Sequence, residues 1–120
     1  MLLSRTRWFA PDSPVGVWWL AHCHGFRVDP PPHFGPSGTV DDVLHLQVGG
    51  PAELLVVRIG RGRARATRPI AVTDVVGVDP QHRVLLVRTS LRRAARRAKR
   101  TARTLGWKRD RDAARYESRR

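Results

Sequence analysis

Cysteine is nearly absent. Cys23 is the only one in 120 residues, which excludes an intramolecular disulfide and makes a reducing compartment, the cytoplasm, the expected home. Long apolar runs are missing too: no stretch approaches the roughly 20 residues that a transmembrane helix needs. Arg5 and Arg7 fall where a secretory signal would need a continuous apolar stretch, and Pro11 and Pro14 follow closely, so no export is expected. Lysine is scarce, Lys99 and Lys108 being the only two among 23 cationic residues. Arginine takes its place. Its planar fork suits bidentate phosphate contacts, although GC-rich codon usage would produce the same bias. Carboxylates are few, ten against 23 cations, for a formal net charge of +13.

That charge is unevenly placed. Ser90 to Arg120 hold 13 basic and 3 acidic residues, a net of +10, whereas Met1 to Thr89 hold 10 basic and 7 acidic, a net of +3. A nearly neutral module joined to a cationic segment fits a folded unit with a polyanion-attracting appendage. A chain of this length accommodates one domain. Three segments are expected within it: an irregular leader over residues 1–16, a β domain over 17–88, and an Arg-rich tail, helical or partly disordered, over 89–120.

The leader clusters turn formers, Pro11, Asp12, Ser13, Pro14 and Gly16. The segment from Val17 to Val28 is rich in aromatic and β-branched residues and reads as strand, interrupted near Gly25. Four prolines between Asp29 and Gly38 exclude that stretch from a sheet interior. Strands are expected over 39–48 and 53–59, joined by a turn at Gly49-Gly50-Pro51 whose glycines supply positive φ. Period-2 alternation places Leu55, Val57 and Ile59 on one face of the second strand and Leu54, Val56 and Arg58 on the other. Further strands follow over 64–72, 74–78 and 83–88, with Gly60-Arg61-Gly62 as a turn. Short strands at turn-punctuated spacing point to an all-β barrel or sandwich. Ser90 then offers an N-cap, and Leu91, Ala94, Ala95, Ala98, Ala102 and Leu105 recur at helical spacing up to Gly106. Arg92, Arg96, Lys99, Arg100 and Arg103 fan across the opposite side of that helix.

Four segments carry a family resemblance: Trp19 to Asp29, Gly38 to Val43 with its Gly-x-Val-x-x-Val strand entry, Ala52 to Gly60, and Val72 to Pro80. In order and spacing the chain resembles the PRC-barrel-like domains, a small β-barrel group named from the photosynthetic reaction centre, and in particular its short actinobacterial members. The resemblance implies a mainly β protein, a small PRC-barrel-like β-barrel followed by the C-terminal basic α-helix. It also implies a protein- or RNA-interaction module without catalysis, and it does not choose the partner.

No residue set calls for chemistry. His22, Cys23 and His24, with His33 and His45, lack the paired spacing of a structural zinc site. On a strand, His22 and His24 would share one face while Cys23 packs inward as a small hydrophobe. The same geometry separates Cys23 from a base, so no catalytic, cofactor or metal residue is assigned. Arg61, Arg63 and Arg65 alternate onto one face of an extended segment, either as a charged edge that blunts aggregation or as a phosphate track continuous with the tail. Trp18 and Trp19 point to opposite strand faces, one into the core and one under a cover.

For the tail, three readings stand: a polyanion-binding arm, a membrane-surface helix, and a solvated helix docked on the barrel. An alanine stripe offers little area for insertion, which leaves weak electrostatic association with anionic lipid as the membrane option. The leading expectation is nucleic-acid or ribonucleoprotein binding through Arg92, Arg96, Lys99, Arg100 and Arg103 together with Arg61, Arg63 and Arg65. The alternative is a protein-interaction or scaffold barrel. Because nearly all large apolar residues lie within 17–88, that span is expected to fold without the tail.

Overall fold

A computed structural model describes residues 8–45, 47–60 and 65–104. Ser13 sets the first element. Its hydroxyl accepts the Gly16 N–H at 3.0 Å and donates to the Ala10 carbonyl at 2.7 Å. Pro14 takes the first helical position, where its missing N–H costs nothing, and helix α1 runs Pro14–Leu20. This corrects the N-terminal part of the strand expected from Val17 to Val28, of which only Arg27 and Val28, beyond the expected interruption near Gly25, are strand. The Ser-Pro pair, read as turn chemistry, is a helix start, and this capping outweighs the weak, context-dependent β preference of Val17, Trp18 and Trp19. The leader is also less irregular than expected, since Phe9 pairs with Val78 through two backbone hydrogen bonds of 2.8 and 2.9 Å.

Strand β1, Arg27–Asp29, follows the turn after α1, and the proline-rich stretch then loops to β2, Gly38–Leu44. Strands β3, Leu54–Ile59, and β4, Ala66–Ala71, continue the antiparallel ladder. A 3-10 turn over Val72–Asp74 leads into β5, Val75–Asp79, which pairs with β6, Val84–Val87. The last five strands thus fall close to the spans the alternation predicts. Strand β6 lies parallel to β1, giving one mixed sheet in the order β4-β3-β2-β1-β6-β5.

The expected barrel is not closed. Strands β4 and β5 occupy the two ends of the sheet, and no ladder joins them. They are nonetheless consecutive in the chain. The four Cα steps from Ala71 to Val75 reach at most about 14 Å, whereas the ends of a flat six-stranded sheet lie about 24 Å apart, so the sheet is curled. Two features oppose closure. Pro69 of β4 has no N–H to donate, and the outward N–H and C=O of Val78 in β5 are already taken by Phe9.

Helix α2, Leu91–Thr104, begins where Ser90 accepts the Arg93 N–H at 3.2 Å. Leu91, Ala94, Ala95, Ala98 and Ala102 are all buried, as the stripe predicts; Leu105 lies outside the described residues. Leu91 and Ala94 join the main core with Phe26, Val40, Leu55, Val57 and Ile70. Ala98 and Ala102 complete a second cluster with Leu44, Leu54 and Val56. Strand β3 is therefore buried on both faces. Gly38 marks how closely α2 approaches the sheet, because a Cβ there would meet Val57 Cγ1 at 2.6 Å and Leu91 Cδ1 at 3.1 Å. Arg97 of α2 and Arg88 both lie 3.4 Å from the buried carboxylate of Asp74. The helix is docked on the sheet through its apolar stripe and contributes to both core clusters.

Candidate polyanion-binding site

Seven cations and no carboxylate occupy Leu91–Thr104. With 100° between successive residues, burial of the alanine stripe forces the cations onto the outer half of the helix in two rows. Arg92, Arg96, Lys99 and Arg103 form one row, spaced i, i+4, i+7, i+11. Arg93, Arg97 and Arg100 form the other.

The first row walls a groove of about 1150 Å³ between α2 and the β4 end of the sheet. Ile59 and Ala66 line it with apolar side chains beside the buried Leu91 and Ala95, Phe34 and Pro36 come from the proline-rich loop, and Arg68 adds a fifth cation from β4. Among the described residues, no carboxylate lines it. The side chains of Arg92, Arg96, Lys99 and Arg103 make no hydrogen bond or ion pair with any described residue. The second row meets a smaller cleft of about 600 Å³ beside Thr73 and Asp74, where Arg97 pairs with Asp74. Arg96 borders both.

Helix stability does not ask for this arrangement. Arg92–Arg96, Arg93–Arg97, Arg96–Arg100 and Lys99–Arg103 are like-charge pairs at i,i+4, each unfavourable by a few tenths of a kcal/mol in an isolated helix. Arg92 and Arg93 also stand in the first turn, which holds no acidic residue and where the helix dipole disfavours cations. A bound anion would relieve both conflicts.

The groove gathers four of the five expected helical residues. Arg100 lies with the second cleft instead. Arg65 is exposed just before β4 and is not part of the groove lining, and Arg61 and Arg63 lie outside the described residues. Arg68, Phe34 and Pro36 are groove residues that sequence reading missed. Arg68 breaks the 61/63/65 alternation and sits between Thr67 and Pro69, so only the β3–β4 register, which pairs it with Val57, brings it to the site.

The His22-Cys23-His24 segment follows α1 as a turn, which corrects its placement on a strand. The His22 ring stacks on Trp18 at 4.1 Å and donates from Nδ1 to the Trp18 carbonyl at 2.8 Å. Cys23 is packed inward as expected, its thiol donating to the Leu20 carbonyl at 3.3 Å. Burial pushes that thiol up to about 12, far from the thiolate that nucleophilic chemistry needs. Among the described residues no three His, Cys, Asp or Glu side chains gather at a metal-binding spacing. Trp19 packs on the core beside Phe26, with ring centroids 5.8 Å apart, while Trp18 remains half exposed. No family model, no curated protein and no solved structure matches this chain.

Proposed function

We propose that this protein is a non-enzymatic binding module that holds a polyanion, either nucleic acid or a ribonucleoprotein, against the groove side of α2. One observation carries the reading: among the described residues, Arg92, Arg96, Lys99 and Arg103 have no partners and line one groove with Arg68 and no carboxylate. Phosphate contacts need charge and reach, and this wall supplies both. A membrane-surface role is less well supported. The apolar stripe of α2 is spent on the sheet and is not available to insert, and no described helix is long and apolar enough to cross a membrane. The cytoplasm is part of the proposal, on the strength of the lone cysteine. So is the PRC-barrel-like resemblance, which rests on the order and spacing of its four sequence segments.

The test is counterion release. If the five groove cations each meet a phosphate, log K should fall with log salt at a slope near −4.5 on duplex DNA. Replacing Arg92 and Arg96 by Gln preserves helix propensity and should reduce the slope by about 1.8. Equal affinity of variant and parent at every salt concentration would remove the groove as a phosphate surface and leave the protein-interaction alternative.

A further inference from the structure

We infer that the groove takes single-stranded nucleic acid in preference to duplex, with phosphates along the α2 wall and one or more bases laid on the apolar lining beside Phe34. This deepens the polyanion reading and rests on it. The cations and the apolar surface belong to the same concavity. Arg92, Arg96, Lys99 and Arg103 extend over eleven residue steps of helix, about 16 Å at 1.5 Å per residue, along one side. The same concavity is lined by Phe34, 49% exposed in the proline-rich loop, and by Pro36 and Ile59.

A duplex keeps its base faces stacked inside and has nothing to place on such a lining, so the lining would lie idle beside it. A single strand presents phosphates on one side and base faces on the other. Combining a cationic groove with an aromatic platform is how sequence-tolerant single-strand sites work. Charge complementarity selects the phosphates, and the half-exposed aromatic ring selects unstacked bases. A row of four cations suits a short stretch, near the lower end of the roughly 4 to 16 nucleotides that single-strand modules engage. An acidic peptide would satisfy the cations without using the ring.

The experiment compares the full chain on a fluorescent 12-nucleotide single strand, on the same sequence as a duplex, and on poly-glutamate of matched charge, at several salt concentrations. Tighter binding of the single strand is expected. Phe34→Ala should weaken the single strand by about tenfold and leave the duplex unchanged, whereas Phe34→Trp should restore or tighten single-strand binding. Trp18→Ala removes an equally exposed aromatic ring outside the groove and should change nothing. Phe34 is half exposed, and matching circular dichroism and melting temperatures will show that its variants fold. Duplex or poly-glutamate binding as tight as the single strand, or indifference to Phe34→Ala, would overturn the single-strand inference while leaving the polyanion reading intact if Arg92→Gln/Arg96→Gln still lowers the salt slope. Loss of salt-dependent binding to every probe would overturn both.

Discussion

Ending the chain after Thr89 removes α2, and the consequence can be worked from what the helix covers. Leu54 is fully buried, and Leu44 and Val56 are 7% and 6% exposed, all three packed in the cluster that Ala98 and Ala102 complete. Uncovering one side of each costs about 1.5 kcal/mol apiece, at roughly 25 cal/mol per Å² of apolar surface. Leu91 is 1% exposed and sits in the main core beside Val57, so its loss opens a cavity of the kind that costs about 2–5 kcal/mol. The total, about 6–10 kcal/mol, is comparable with the whole stability of a small domain, about 5–15 kcal/mol. The truncated protein should therefore lose its cooperative thermal transition and bind a hydrophobic dye. Ala98→Asp should reproduce much of this in the full chain, because it places an unpaired charge among Leu44, Leu54 and Val56. Thr101→Asp, exposed on the same helix, should not. A truncated chain that melts cooperatively within about 10 °C of the parent, without dye binding, would refute the assignment of α2 to the core.

Val57 is fully buried in β3, whereas Arg58 is partly exposed 3.4 Å from Asp41; Val57→Asp should cost several kcal/mol and Arg58→Asp about 1, read from urea midpoints. Cys23 should resist thiol reagents at pH 8 in the native protein and react at once in denaturant. Its folded thiol is raised from 9.0 to about 12, so the neutral form is favoured by folding, and the contribution is complete below about pH 9 and lost as pH climbs toward 12. Cys23→Ala should accordingly diminish the alkaline fall in melting temperature between those values.

Period-2 alternation located β3 and its two faces, because Leu55 and Val57 fill one cluster while Leu54 and Val56 fill the other. Helical spacing and the Ser90 cap located α2 as well. Signals of this kind are local and survive without a partner in view. The strand reading failed over Val17 to Leu20, where two local signals conflicted and the Ser13-Pro14 cap prevailed over aromatic content, while Arg27 and Val28 did form the strand β1. The open sheet was illegible for a different reason. Closure depends on whether Phe9 or another strand reaches Val78, a contact 69 residues apart in sequence. The candidate site was half legible: one helix supplies its wall, but Phe34 of the proline-rich loop, Ile59 of β3 and Arg68 of β4 join it only through contacts far apart in sequence.

The same helix completes the core and presents the charge, and these two duties explain its composition. Small alanines at 94, 95, 98 and 102 let the helix axis lie close to the sheet, so that the long side chains on its flank emerge beside Ile59 and Ala66 instead of standing away from them. Larger residues in the stripe would lift the row of cations off the apolar lining. Arginine suits the flank because its stem packs on apolar surface while its guanidinium stays hydrated. The like-charge spacing that weakens α2 as an isolated helix is tolerable because docking supplies the stability that the exposed face withholds. An anion bound along Arg92, Arg96, Lys99 and Arg103 would offset that repulsion, so occupancy of the groove would be thermodynamically linked to the stability of the fold.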